Sequence, residues 1–518
     1  MKALLVTGLL AKKTVEGYAK ESNVETEVFA LKVPVAALLS PEQIAKALKQ
    51  TSVQGFDLIL VPGLMRGNAS VIADSVGTPT FKGPRYAADL PTVLDALERV
   101  KLSTVTPACD LLREELQRKA LQELEAVEKN RDALLKEPGN MVVGKLAVGK
   151  DFPMRVLAEI VDAALMPDDE IQRLAKHFVK MGADLIDVGM VAGESRPSDA
   201  KRGVEAVKKV VDVPVSIDTL DPEEIREAVG AGVDLILSVD AGNVDQVAAF
   251  ASDVAAVVIP TNQREGYFPR KAEDRIRFLE EIMKKAARLG IKSLLADLIL
   301  EPSNVLESMV AFRDFADRNP DVPLFVGVSN VTELFDADSV GVNALLARLS
   351  AEVGASMLLA TEKSDKAKGT VREESTAAKM MFLAQRRGSV PKDLGLDLLV
   401  LKDKRNREET YDRTLETNVN SVVASEKSEA VVQDEQGSFR ITIDRVDGNI
   451  IALHYTSLEP EKPVNIIKGK TAESVYAEIA QLGLVTRIDH AAYLGNELAK
   501  AEIALKTGKQ YIQDFSLF

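Results

Sequence analysis

Cysteine, tryptophan and histidine are scarce in this chain, and their scarcity excludes several kinds of protein. The single cysteine, Cys109, cannot form an internal disulfide bond, and no group of Cys and His residues has the spacing of a structural zinc site. This usage predicts a reducing, cytoplasmic location. Tryptophan is absent and aromatic residues make up only 5% of the chain, so aromatic platforms that stack on single-stranded nucleic acid have little to be built from.

Long apolar runs and an excess of positive charge are also missing. No stretch of about 18 apolar residues is unbroken, and the N-terminal residues MKALLVTGLLAKKTVEGY lack the cleavage pattern of a signal peptide. The chain has 65 Lys and Arg residues against 79 Asp and Glu residues, a net charge of −14. We therefore expect a soluble protein whose partners are neither nucleic acids nor membranes.

The chain is long enough for about three domains, and the sequence pattern divides accordingly. Residues 1–105 alternate apolar runs with amphipathic stretches, which predicts a small α/β domain. Residues 106–148 form a linker with a long charged helix. Within residues 391–518, the runs 439–446 and 449–456 alternate with a period of two, and Asp447 and Gly448 between them predict a hairpin with a type I′ turn. This last region is expected to be a small α+β domain.

The central region, residues 149–390, contains eight strand-like runs, each followed by a helical pattern. That number of units in about 240 residues matches a TIM barrel. The predicted fold is therefore α/β, with a central (β/α)8 barrel flanked by the small N-terminal α/β domain and the C-terminal α+β domain. The predicted strands are 155–162, 185–189, 214–218, 234–239, 255–260, 292–298, 323–328 and 356–361.

Polar side chains stand where these predicted strands end, which is where barrel enzymes carry their catalytic residues. Acidic, amide and basic groups are therefore expected to converge on one rim. The candidates at this rim are Glu159, Asp162, Asp187, Ser195, Arg196, Asp218, Ser238, Asp297, Ser329, Asn330 and Lys363.

One segment of the predicted barrel resembles the pterin-binding family, which includes dihydropteroate synthases and corrinoid-linked methyltetrahydropterin methyltransferases. It reads GADLIDVGMVAGESRPSDAKRGVEAVKKVVDVPVSIDT, residues 182–219. In the synthases, a loop with the pattern GAD-IDIG-GESTRPG precedes a strand PISVDT, in the same order and with the same spacing. The resemblance covers residues 150–390 and is nearest to archaeal-type dihydropteroate synthase-related proteins, whose flanking domains are similar to those of this chain.

The resemblance implies a role for several rim residues. Asp218 and Asp297 match the two aspartates that contact the pterin ring, and a carboxylate can accept two hydrogen bonds from an amino-pyrimidine edge. Ser195 and Arg196 match the loop that contacts the pyrophosphate, where an arginine can fork onto phosphate. Asn330, in GVSNVTEL, matches a methyltransferase asparagine, and this set makes Asp218, Asp297 and Asn330 the expected catalytic residues.

The chain departs from the synthase pattern elsewhere on the rim. The strand-one pattern NVTPDSF is replaced by EIVDA, so the resemblance leaves Glu159 or Asp162, the two candidate metal ligands, in place of the asparagine that contacts Mg²⁺. Lys363 is the best placed of three lysines for a phosphate after strand eight. The remaining expected substrate contacts are Ser238 on strand four, Ser329 on strand seven and the methyltransferase-like Asn343.

Three functions are consistent with these residues. The first is a transferase resembling dihydropteroate synthase, which joins a dihydropterin pyrophosphate to an arylamine in folate- or methanopterin-type cofactor biosynthesis, with Mg²⁺. The second is methyl transfer from a methyltetrahydropterin to an acceptor, which requires a corrinoid partner protein. The third is a non-catalytic protein that binds a pterin as a ligand. The family also implies a homodimer formed through the outer helices of the barrel.

Overall fold

The computed structural model describes residues 1–51, 53–404, 411, 413–416, 421–424, 433–459 and 461–518. They form two compact units, Met1–Leu398 and Leu399–Phe518. The first unit contains an open parallel sheet and a closed barrel, and the second contains an antiparallel sheet. Among the described residues, no helix is both long and apolar enough to cross a membrane.

An all-parallel sheet with the strand order β2-β1-β3-β4 begins the first unit. Alternate residues of its strands pack into separate apolar clusters on the two faces, Leu4 and Ile59 in one and Leu5 and Leu60 in the other. Both faces are covered, so the central strands β1 and β3 consist mainly of buried apolar residues. The elements are β1 (Lys2–Thr7), α1 (Lys12–Ala19), β2 (Glu25–Ala30), α2 (Pro41–Leu48), β3 (Leu58–Val61), α3 (Ser70–Val76), β4 (Thr80–Lys82) and α4 (Leu90–Leu94).

A long helix and a β-hairpin join the sheet to the barrel. These elements are α5 (Ala108–Lys129), α6 (Arg131–Leu134), β5 (Asn140–Val143) and β6 (Leu146–Gly149). The hairpin was not predicted, because its two strands of four residues are too short to show a period. Val143 and Val148 pack against Leu157 and Leu185, which point into the barrel near the start of their strands. The hairpin therefore closes the N-terminal end of the barrel.

The barrel consists of eight parallel strands that close in chain order, and this confirms the predicted fold class. Its inward-facing lower layer is packed with apolar side chains such as Leu157, Leu237 and Phe325. The polar residues Glu159 and Asp187 follow this apolar layer two residues later along their strands, nearer the carboxyl end. The strands are β7 (Arg155–Ile160), β8 (Leu185–Gly189), β9 (Val215–Asp218), β10 (Leu235–Val239), β11 (Ala255–Val258), β12 (Leu294–Ala296), β13 (Leu324–Val326) and β14 (Ala355–Thr361).

Helices follow each strand and cover the outer wall of the barrel, where two large apolar clusters lie between helices and strands. Ala120 and Leu124 of α5 also pack against Leu383 of the last barrel helix. The barrel helices are α7 (Asp168–Met181), α8 (Pro197–Lys208), α9 (Pro222–Gly230), α10 (Val244–Ala248), α11 (Ala272–Arg288), α12 (Val305–Arg318), α13 (Ser329–Thr332), α14 (Ser339–Glu352) and α15 (Thr370–Arg386).

The second unit has a three-stranded antiparallel sheet in the order β15-β16-β17, followed by two helices. The predicted hairpin is present, but the type I′ turn is wrong because Asp444 pairs with Asn449, which leaves four residues in the loop. Asp444 Oδ1 accepts hydrogen bonds from the N–H groups of Val446 and Asp447 and thereby holds this longer loop. The elements are β15 (Ser438–Asp444), β16 (Asn449–Tyr455), β17 (Asn465–Gly469), α16 (Ala472–Gln481) and α17 (Ile488–Thr507).

Candidate functional site

Three carboxyl groups meet at the carboxyl end of the barrel interior. Glu159 of β7 lies in register with Asp187 of β8, and both point inward because Leu157 and Leu185, two residues earlier, do so. Asp218 ends β9 in register with Gly189, one layer nearer the mouth. One oxygen from each carboxyl group lies within 4.8 Å of the other two. We call Glu159, Asp187 and Asp218 the carboxylate triad.

Gly189 gives Glu159 the room to join this triad. A Cβ atom at position 189 would collide with Glu159 Oε1, so only glycine leaves space for that carboxyl group. Within the triad, Asp187 is completely buried, while Glu159 and Asp218 are partly exposed. The triad therefore has a buried floor and two groups that face the mouth of the barrel.

Burial and mutual repulsion make the triad hold protons near neutral pH. Burial raises the pKa of Glu159 to about 8, with further increases from Asp218 and Asp162. Burial raises the pKa of Asp218 to about 6 and that of Asp187 well above its ordinary value, the latter also through Asp218 and Glu159. Asp187 Oδ1 accepts a hydrogen bond from Ser216 Oγ, whereas Asp187 Oδ2 has no hydrogen-bond partner among the described residues.

Asp297 follows β12 and is held by a rigid loop. Its Oδ1 accepts a 2.7 Å hydrogen bond from the N–H of Ile299, a β-branched residue with φ 63°. Arg275, which is completely buried, donates to the carbonyl of Ile299 at 3.0 Å and forms an ion pair with Glu301. Burial raises the pKa of Asp297 to about 7, against the lowering effects of Ile299 and Arg275, and Asp218 adds to the increase. The charge of Asp218 thus reaches Asp297 at the carboxyl end of the barrel.

The loops after β13 and β14 are tied together by a carboxylate that the sequence analysis did not identify. Glu333 accepts hydrogen bonds from the N–H groups of Lys363 at 2.8 Å and Ser364 at 3.1 Å. Ser329 Oγ accepts from the N–H of Thr361 at 2.7 Å. These three backbone donors, in a loop where barrels commonly bind phosphate, are therefore filled by protein groups.

The basic side chains expected to bind phosphate are paired with carboxylates. Lys363 Nζ lies 2.9 Å from Asp162 Oδ2. Arg196 Nε donates to Glu194 Oε2 at 2.8 Å, and its Nη1 lies 3.6 Å from Asp199 Oδ2. An anion that binds to either cation must therefore exchange places with a carboxylate.

The structure places the other predicted residues in different surroundings. Asn330 is exposed, and its Nδ2 donates to the carbonyl of Leu300 at 3.4 Å. Ser195 is exposed in the loop after β8, and Ser238 is partly exposed near the end of β10. Asn343 is completely buried among α13, α14 and α15, where it bonds with Thr332, Thr370 and Glu373. The rim therefore brings together Glu159, Asp218 and Asp297 but not Asn343.

Glu333 is the contributor that sequence reasoning missed, whereas Asp187 was a candidate at the rim to which no role was assigned. The alternation of β8 was a usable signal for Asp187, because it puts Asp187 on the inward face with Leu185. No such signal exists for Glu333, which lies just beyond the short helix α13 and meets residues of another loop.

Comparison with known proteins assigns the chain to a family. It is 41% identical over 532 residues to the uncharacterized protein MJ0107 of Methanocaldococcus jannaschii, and the alignment covers 100% of the chain and 99% of that relative. The family described as pterin binding enzyme matches residues 161–363, which include Asp187, Asp218 and Asp297. The chain belongs to this dihydropteroate synthase-like, pterin-binding family.

Other matches concern separate parts of this pterin-binding protein. Residues 2–85 match a family of unknown function, DUF6513, and residues 433–514 match the family PterinBD-DUF4346. The dihydropteroate synthase of Clostridium beijerinckii is 29% identical over 150 residues, which cover 26% of this chain and 54% of the synthase.

Solved structures of dihydropteroate synthases are also similar to the chain. The Yersinia pestis enzyme with a sulfonamide drug is 19% identical, with a TM-score of 0.39 over 48% of this chain and 100% of that one. The Xanthomonas albilineans enzyme in complex with 7,8-dihydropteroate is 20% identical, with a TM-score of 0.39 over 49% of this chain and 99% of that one.

Proposed function

We propose that the barrel is a transferase that acts on a reduced pterin held between Asp218 and Asp297. One observation carries this proposal: the carboxyl groups of Asp218 and Asp297 lie at the carboxyl end of a barrel whose sequence matches pterin-binding enzymes, close enough for Asp218 to raise the pKa of Asp297. A pterin ring has a flat edge of amino and ring N–H donors, which carboxylates accept. Ionised Asp218 and Asp297 would replace the water that these donors lose on entering the barrel.

The first candidate reaction is the condensation of a dihydropterin pyrophosphate with an arylamine. The bond between the pterin methylene and the diphosphate oxygen breaks, and the diphosphate leaves with the electron pair. A bond from the methylene to the arylamine nitrogen forms, and that nitrogen loses a proton. Arg196 and Lys363 support this candidate because cations at the rim stabilise the charge on the leaving group. When bound, Mg²⁺ would stabilise the same charge.

A second candidate is methyl transfer from a methyltetrahydropterin to an acceptor, with a corrinoid partner protein. Glu333 favours it, because its carboxylate fills the backbone donors that a diphosphate would use. A methyltetrahydropterin carries no diphosphate and needs no such anion site. The exposed amide of Asn330 is available to donate a hydrogen bond to the pterin nitrogen as the methyl group leaves.

Calorimetric titration with three ligands tests the proposal and separates the candidates. The ligands are 6-hydroxymethyl-dihydropterin, its pyrophosphate ester with and without Mg²⁺, and a methyltetrahydropterin. Preference for the ester that grows with Mg²⁺ supports condensation, and preference for the methylated pterin supports methyl transfer. No binding of any pterin would overturn the proposed function.

Two matched variants show whether the aspartates at the mouth hold the ring. Asp297→Asn should weaken pterin binding at least about tenfold, because the amide loses the charge that strengthens its accepted hydrogen bonds. Asp253→Asn, at an exposed aspartate before β11, should leave the affinity unchanged. Equal affinities in the two variants would remove Asp297 from the binding site.

A further inference from the structure

We propose that the carboxylate triad of Glu159, Asp187 and Asp218 binds a divalent cation of the Mg²⁺ or Mn²⁺ class. The sequence analysis expected a metal at Glu159 and Asp162. The structure gives Asp162 another partner, Lys363, at 2.9 Å, and puts Asp187 and Asp218 beside Glu159 instead.

The geometry of the triad allows three ligands on one ion. The oxygens that the three groups offer lie within 4.8 Å of one another. Two oxygens bound to one Mg²⁺ at about 2.1 Å are separated by at most about 4.2 Å, so small side-chain rotations bring all three oxygens to a common centre. The three groups come from consecutive strands, β7, β8 and β9, whose register fixes their positions.

A second observation points to a ligand at this place. Asp187 is completely buried, and its Oδ2 has no hydrogen-bond partner in the part of the chain that the structure describes. Its other oxygen is satisfied by Ser216. Buried carboxylate oxygens are normally hydrogen-bonded, paired or bound to metal, because a bare one loses its hydration without compensation. A cation above Asp187 supplies the missing partner.

Nearby cationic side chains are paired with carboxylates outside the triad. Within the described residues, no Lys or Arg forms an ion pair or hydrogen bond with Glu159, Asp187 or Asp218. Lys363, the basic residue after β14, is paired with Asp162, and the buried Arg275 is paired with Glu301. Among the described residues, the three acidic groups thus have no directly paired cation, and Lys363 lowers the pKa of Glu159 without contacting it.

The chemistry of the ligands indicates the class of ion. Three carboxylate oxygens without nitrogen or sulfur suit hard cations that keep several waters. Glu159 and Asp218 are partly exposed toward the mouth, so the remaining coordination positions open to water or to an oxygen of a substrate. The inference goes beyond the proposed pterin reaction, since it requires neither Asp297 nor a bound pterin.

The test measures metal binding by the full chain without any pterin. Mn²⁺ is titrated and the free ion is followed by electron paramagnetic resonance, with Mg²⁺ as the competitor. Wild-type protein should bind one Mn²⁺ saturably, and Asp187→Asn should weaken binding at least about tenfold because it removes a charged ligand. Asp162→Asn, the same change on a neighbouring rim carboxylate, should retain the wild-type affinity within about threefold.

Each result decides the assignment. Loss of binding in Asp187→Asn with retention in Asp162→Asn supports the triad. The reverse pattern, or wild-type protein without saturable binding at millimolar metal, would overturn it. Circular dichroism without metal confirms that the variants fold, and Glu159→Gln, also expected to weaken binding, replaces Asp187→Asn if that variant is unfolded. Pterin titrations are separate, so failure of the proposed function leaves this result unaffected.

Discussion

The carboxylate of Glu333 accepts a 2.8 Å hydrogen bond from the backbone N–H of Lys363. This contact joins the loops after β13 and β14, the two loops that commonly form a phosphate site in TIM barrels. A side-chain carboxylate, like a phosphate, is an anion with oxygen acceptors, so it satisfies the same donors. Any phosphorylated ligand that uses this loop has to displace Glu333.

Neutralising Glu333 should therefore create affinity for an anion. We expect inorganic pyrophosphate to bind the Glu333→Gln variant about tenfold more tightly than it binds the wild-type chain. The reason is that the substitution removes the negative charge that lies against the backbone donors of the loop. Titration calorimetry measures the change. Glu265→Gln, at an exposed glutamate of another rim loop, is the control and should have no effect. An unchanged affinity in Glu333→Gln would show that the anion does not use this loop.

Asn343 should be required for stability and not for binding. Its amide joins Thr332, Thr370 and Glu373 in a fully buried network. We expect Asn343→Ala to lower the free energy of unfolding by about 2–3 kcal/mol, since it leaves buried polar groups without partners. Urea denaturation measures this loss, and the pterin affinity should not change.

Asn330→Ala is the matched comparison for that variant. Asn330 is exposed, so its removal should leave the urea midpoint unchanged. Its pterin affinity should fall if the amide contacts the ligand. Weaker pterin binding in folded Asn343→Ala would contradict the assignment of Asn343 to helix packing.

Glu374 should destabilise the barrel as the pH rises. It is completely buried in α15, neither carboxyl oxygen has a hydrogen-bond partner among the described residues, and burial together with Glu373 and Glu362 raises its pKa well above 4.5. The folded state binds this proton more tightly than the unfolded state does. The stabilisation that comes from protonated Glu374 is therefore present below pH 4.5 and is lost as the pH rises.

Replacement by an apolar side chain should remove this effect. We expect Glu374→Met to raise the free energy of unfolding by about 1–3 kcal/mol at about pH 8, and by less at about pH 5. Urea denaturation at both pH values checks the result. Glu205→Gln, at an exposed position of α8, should change neither value. An equal gain at both pH values would mean that Glu374 does not titrate as described.

Pterin binding should depend on the ionisation of Asp297. The pKa of this group is raised to about 7, and only its ionised form accepts hydrogen bonds at both oxygens. Affinity should therefore increase as the pH rises through about 7. Asp297→Asn, measured with the same ligand, corrects for titration of the pterin itself and should lose this increase. A pH profile shared by both proteins would assign the titration to the ligand.

The sequence was informative about the strands and less so about their contacts. Runs such as 255–258 and 324–326 are apolar on both faces, so their length and spacing were enough to predict eight barrel strands. Asp218 and Asp297 could be selected because each follows such a run. The ion-pair and hydrogen-bond partners of the rim residues could not be predicted, because pairing depends on closure of the barrel and on loop conformation. Lys363 and Asp162, for instance, are 201 residues apart in the chain.

The hairpin β5–β6 limits the routes by which ligands reach the barrel interior. Val143 and Val148 fill the N-terminal end, so molecules that reach Asp187 pass through the mouth between Asp218 and Asp297. A pterin bound at the mouth would cover the carboxylate triad and block its access to solvent. A cation would then have to bind before the pterin and dissociate after it. The order of binding would be compulsory, and the ion would stay bound for as long as the pterin does.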